Sequence, residues 1–153
     1  MLRKQIVPKH SRESVSFRDE ISVADVATVQ VTSEQVEHPI DNAFDNNRGP
    51  GGSRWIANEP GEQTVTLHFD HPQTIRKVGV EIEEPEVSRT QELSVSVSSD
   101  GGRTFRQLVR QEFNFSPPGT SFEREVWSAS AEAVTHLRLD IRPDKGGWVG
   151  GQP

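Results

Sequence analysis

The chain contains no cysteine, which excludes disulfides, thiolate catalysis and cysteine-held zinc or iron-sulfur centres. It also lacks tyrosine, and three tryptophans with seven phenylalanines are a thin aromatic supply for a surface that recognises by stacking. No stretch of the sequence approaches the roughly 20 consecutive apolar residues of a membrane-spanning helix. The first residues, MLRKQIVPKHSRES, are basic but lack the apolar run of a secretory signal. For the sequence as given, the expectation is a soluble chain with the cytoplasm favoured, the compartment otherwise staying open. Positive charge is in deficit: 17 Lys and Arg against 23 Asp and Glu leave a net charge of -6. Such a field repels nucleic acid and an anionic lipid surface, so neither is an expected partner.

Hydrophobic residues make up only 31% of the 153 positions. That share suits a sheet with one solvated face, which needs apolar residues only at every second position. The alternation is there. Val65, Leu67 and Phe69 interleave with Thr64, Thr66 and His68; Val78, Val80 and Ile82 with Gly79 and Glu81; Leu93, Val95 and Val97 with serines; Leu137, Leu139 and Ile141 with His136, Arg138 and Asp140. Each run reads as a strand with one buried face. Weaker strands are expected at 27–33, 54–57, 105–110 and 122–127, and a short helical stretch at 20–26. Turn chemistry separates them at Glu59-Pro60-Gly61, His71-Pro72, Ser99-Asp100-Gly101-Gly102 and Ser116-Pro117-Pro118-Gly119. The sum is an all-β chain of about eight antiparallel strands, spaced as in a sandwich or barrel. Residues 1–20 read as a flexible arm, 21–145 as the β-domain and 146–153 as a glycine-rich tail.

One stretch, Asn42-Ala43-Phe44-Asp45-Asn46-Asn47 followed by Ser53-Arg54-Trp55, carries more than turn chemistry. With Gln63 to Phe69, Pro72 to Val78, Leu93 to Phe105 and His136 to Ile141 in that order, it resembles the discoidin, or coagulation-factor C-type, domain. The likeness runs from about Thr28 to Pro143. It implies a jelly-roll β-sandwich of the galactose-binding-like kind, used for binding rather than chemistry. Asn46 stands where that family has glycine, a mild departure because Asn tolerates the left-handed conformation. The family's last strand, with its glutamate, has no counterpart before Pro153: either the chain is truncated, or the N-terminal arm or a partner covers that sheet edge.

The same resemblance implies one structural calcium ion held by Asp45, Asn47 and Ser53. Calcium takes six to eight oxygens, and only one of these three residues is charged, so the alternative is that Asp45 caps its own turn. Phe44 and Trp55 read as core. The family's ligand end corresponds to the segments 34–39, 58–62, 84–91 and 113–122, whose candidate ligand-binding residues are His38, Glu86, Arg89, Asn114 and Phe115. Phe115 offers a platform for a sugar ring and the polar residues offer partners for its hydroxyls, unless Phe115 folds inward to pin the Pro-Pro-Gly loop. Glu81 with Glu83 and Glu123 with Glu125 point alike along their strands, which suits a solvated face and not the opposed carboxyls of a glycosidase. No nucleophile triad, HExxH or phosphate loop is present. The function expected is a noncatalytic carbohydrate-binding module, with a protein-interaction domain on the same fold as the alternative, and a monomer unless the open edge pairs.

Overall fold

The computed structural model describes residues 20–144. A single helical turn, α1 (Val23–Val26), leads into β1 (Ala27–Val31). A long connection containing a 3-10 helix at Ile40–Phe44 follows, then β2 (Gln63–Glu83), β3 (Arg89–Ser98), β4 (Arg106–Phe115) and β5 (Phe122–Arg142). The strands pair antiparallel, in the order β1-β2-β5-β3-β4. The all-β class therefore stands, with five strands among the described residues in place of the expected eight.

The count falls because two pairs of expected strands are continuous. Segments 65–69 and 78–82 are the two ends of β2, and 122–127 and 137–141 the two ends of β5. His71-Pro72, expected to reverse the chain, lies inside β2. Proline cannot donate to the ladder, and the β2/β5 register shifts three times between His68 and Lys77. Opposite this stretch, Ala133 of β5 has φ 53. Such bulges bend and twist a strand pair without ending it. Segment 54–57 forms no strand. Residues 1–19 of the expected arm and the tail at 146–153 lie outside the described residues.

The bend makes the second layer. Below it, the first half of β2 and the second half of β5 pair with β1 and β3. Val65 sits opposite Leu139, and Leu139 opposite Val95, so the alternating aliphatic residues form continuous rows on one face. Beyond the bend, the two strands form a ribbon whose Val78, Val80, Ile82 and Trp127 pack on Leu93, Val95, Phe113, Phe115 and Ile141. A second cluster fills the other end, where Leu67, Phe69, Ile75, Val97, Ala131 and Val134 meet α1 residues and Phe44. Phe44 and Trp55, as expected, are packed against the core, one on each cluster.

Leu93 is 2% exposed at the centre of this packing, whereas Val126, on the outer face of the ribbon, is 53% exposed. Leu93→Ala is expected to cost about 2–5 kcal/mol in urea unfolding through the cavity it leaves. Val126→Ala should stay within about 0.5 kcal/mol.

Candidate functional site

The connection from β1 to β2 carries the turn that the sequence singled out. Its 3-10 helix ends at Asp45, and Asn46 follows in the left-handed region with φ 61. The chain then doubles back. The Asn47 amide donates to Asp45 Oδ1 at 2.9 Å and the Ser53 hydroxyl to Oδ2 at 2.5 Å. The hydroxyl first, and then the amide, hold the Asp45 carboxyl below the usual carboxylate range. Asp45 thus closes the turn upon itself. Of the three residues expected around a cation, Asp45 and Ser53 come together, while Asn47 turns its amide to the carboxylate. Two backbone oxygens lie close by: a side chain at Gly52 would begin 2.6 Å from the carbonyl oxygen of Asn47 and 3.1 Å from that of Gly49. Carboxylate, hydroxyl and carbonyl oxygens of the kind that hard cations take are present, with a single formal charge. Among the described residues, no three His, Asp or Glu side chains gather closely enough to hold a metal ion.

The glycine-rich part of this turn is held by β2. The Gly49 amide donates to Glu81 Oε1 at 2.8 Å, and the Gly51 amide donates to both carboxylate oxygens of Glu83 at 3.3 Å. Arg54 pairs with Glu83 at 2.9 Å and Arg124 with Glu81 at 2.7 Å. Glu81 and Glu83 do point alike, but they receive a loop instead of facing free solvent. Glycine amides separated by one residue match carboxylates separated by two strand positions.

A second set of loops gathers at the end of the sandwich where β2, β4 and β5 have Glu83, Phe115 and Phe122. Arg89 of β3 pairs with Phe115, and Glu83 with Phe122. The Glu84 amide continues the ladder to the Ser121 carbonyl at 2.7 Å. Glu84 organises this end: its Oε1 meets Arg89 Nη2 at 2.5 Å, and its Oε2 accepts the amides of Glu86 and Val87.

Strand parity divides the expected ligand residues. Arg89 and Phe115 share the inner face, whereas Thr90 and Asn114, one position along, share the outer face and are joined by a 2.7 Å hydrogen bond. Phe115 is 3% exposed within the second cluster. The expectation of an exposed aromatic platform is therefore corrected: the ring folds inward, as burying its large apolar surface favours. Arg89 is also drawn in, with its side chain 11% exposed. Its Nε is buried and has no hydrogen-bond partner among the described residues. Glu86 and Asn114 are exposed. His38 sits in the 34–39 turn, where its carbonyl accepts the Ile56 amide and its own amide donates to the Gln35 carbonyl. Glu84 was missed from sequence. Its only signal is an acidic residue directly before Pro85, where the following amides lack partners.

The family model of the F5/8 type C domain matches residues 28–150. No curated protein matches the chain. Among solved structures, the CBM32 of AlyQ in complex with 4,5-unsaturated mannuronic acid is 19% identical, covering 80% of this chain and 86% of that one with a TM-score of 0.54. A CBM32 from Clostridium perfringens in complex with GalNAc-beta-1,3-galactose is 21% identical, covering 85% and 93% with a TM-score of 0.51. The family 32 CBM of Clostridium perfringens NanJ in complex with galactose is 12% identical, covering 83% and 89% with a TM-score of 0.55. At these identities the likeness is one of fold.

Two glycines separate close packing from open space. Gly52→Ala should lower the melting temperature, because its Cβ would press on the Asn47 carbonyl. Gly79→Ala, whose Cβ meets only ordinary contacts at 3.6 and 3.8 Å, should leave it unchanged or raise it slightly.

Proposed function

The chain belongs to the F5/8 type C domain family, and on that footing we propose that it is a noncatalytic binding module for carbohydrate. The observation that carries the reading is Arg89. Its guanidinium is fixed by Glu84 at the loop end while its Nε donor stays unpartnered among the described residues. An unmet buried donor costs free energy, and because the Nε is shielded from solvent a ligand oxygen recovers that cost only if the loop end moves to admit it. A planar, positioned fork suits the paired hydroxyls or the carboxylate of a sugar. Asn114 and Glu86, exposed nearby in the same loop set, supply further polar partners. Structural neighbours in complex with galactose, GalNAc-beta-1,3-galactose and an unsaturated mannuronic acid support carbohydrate as the ligand class.

A glycan-array screen followed by titration tests this. Arg89→Lys keeps a charge for Glu84 but removes the fork, and should weaken binding of the selected glycan by about 1.5–3 kcal/mol with the melting temperature held. Full affinity in both Arg89→Lys and Asn114→Ala would move the site elsewhere. A silent array from folded protein would turn the reading toward a protein partner.

Calcium forms the second part of the proposal. The Asp45 carboxylate and the Ser53 hydroxyl, with the carbonyl oxygens of Asn47 and Gly49, would hold the ion, and one formal charge makes the site weak. An ion that binds only the folded chain raises its melting temperature. Millimolar calcium should therefore raise the melting temperature over that in chelator, and Asp45→Asn should abolish the rise. No shift in the unaltered chain would leave Asp45 as a turn cap alone.

A further inference from the structure

At the far end of the sandwich from Arg89, two imidazoles lie face to face. His68 of β2 and His136 of β5 are register partners with ring centroids 4.3 Å apart and planes within 9°. They sit immediately before the first register shift, where both long strands leave the first layer. The turn between β3 and β4 rests on the His136 ring. Gly102 has φ 88, and a side chain there would begin 3.3–3.5 Å from three atoms of the His136 ring. The Gly101 amide donates to Thr135 Oγ1, the Thr135 hydroxyl to the Ser98 carbonyl, and the Ser99 hydroxyl to the Glu132 carbonyl. His136 Nδ1 is itself 3.0 Å from Thr135 Oγ1. Ring, turn and bend therefore form one contiguous packing unit.

We propose that His136, stacked on His68, is an acid-sensitive latch, which holds the β3–β4 turn and the strand bend while its imidazole is neutral and loosens them when it takes up a proton.

The groups around the stack favour a neutral His136. From β2 comes His68 itself, the like charge in acid. Along β5 lies Arg138, whose guanidinium is 4.0 Å from the centroid of the Phe105 ring. That ring meets His136 in a T-shaped arrangement, with planes at 77°, and Arg138 occupies one of its faces. Asp140 pairs with Arg138 and accepts from Thr64. From the turn, Asp100 attracts a proton to His136. Its oxygens are already engaged by the Thr104 hydroxyl and amide, by the Ser98 hydroxyl and by the Arg103 amide. These bonds, that of the Thr104 hydroxyl foremost, hold its own carboxyl far below the usual range. β3 and β1 place Ser98 and Thr28 opposite the two rings.

Burial first, then the His68 charge, lower the proton affinity of His136 against the opposing pull of Asp100. Because that affinity is lower folded than unfolded, the unfolded chain binds more protons in mild acid. The stability that the neutral His136 ring contributes is present above the ordinary histidine value and is lost as pH falls through its folded one.

Hydrogen exchange at the Gly101 and Gly102 amides, followed from pH 7.5 to 5, tests the latch. Protection at both should fall by about fivefold or more, the factor that corresponds to ~1 kcal/mol of repulsion between unit charges 4 Å apart in bulk water. His68→Gln, altered at the exposed partner, should lose most of that fall, and His136 in that variant should titrate at higher pH by NMR. His136→Gln should remove the fall altogether; if it does not fold, the His136 titration in His68→Gln decides. Flat protection in the unaltered chain, or an unmoved His136 titration in His68→Gln, would overturn the proposal.

Discussion

The structure depends on the pairing of β2 with β5 along their whole length, through a bend. Each strand runs 21 residues, several times what one layer of a small domain needs. Because both bend together, the pair belongs to the first layer at one end and folds over it as a ribbon at the other. The apolar rows of both layers then face one core, and no separate connection has to carry the chain between them. Pro72 and Ala133 mark the place where ladder regularity is given up for this. The local loss of hydrogen bonds is offset by burial of the ribbon's aliphatic residues against β3, β4 and β5.

From that arrangement come the two surfaces that carry polar chemistry. The ribbon edge presents Glu81 and Glu83 to the glycine turn, so the chain between β1 and β2 is held by carboxylates as well as by Phe44 and Trp55 in the core. At the end of the ribbon, β2 and β5 bring the 84–88 and 116–121 loops together, and Glu84 fixes Arg89 between them. Binding residues on loops positioned by a rigid sandwich are a common division of labour. Fold alone leaves the ligand open; the proposal of a ligand rich in oxygen rests on the positioned, incompletely bonded guanidinium of Arg89.

Much of this was legible in the sequence, because alternation reports burial directly. Val65, Leu67 and Phe69, and Leu93, Val95 and Val97, are all buried as their parity demanded. Asp100-Gly101-Gly102 forms the expected turn, and Asn46 takes the left-handed conformation that replaces glycine. What was not legible depends on contacts distant in the chain. His71-Pro72 looks the same locally whether the chain reverses or bends, and only the continued pairing with β5 distinguishes the two. Phe115 ends an alternating strand beside a Pro-Pro-Gly loop and left two readings open; parity counted for more than position near the loop, and the ring is turned inward, the second of the two. Glu81 and Glu83 read as solvated because their glycine partners lie 32 residues away.

The most direct test of carbohydrate recognition at the loop end is an amide chemical-shift titration of the labelled chain with simple sugars, galactose first among them. The expected result is saturable shifts concentrated at residues 84–91 and 113–120, with the backbone amide and side-chain Nε–H of Arg89 moving together and the His68–His136 end unmoved. Shifts absent with every sugar tried, or confined to another surface, would contradict the account.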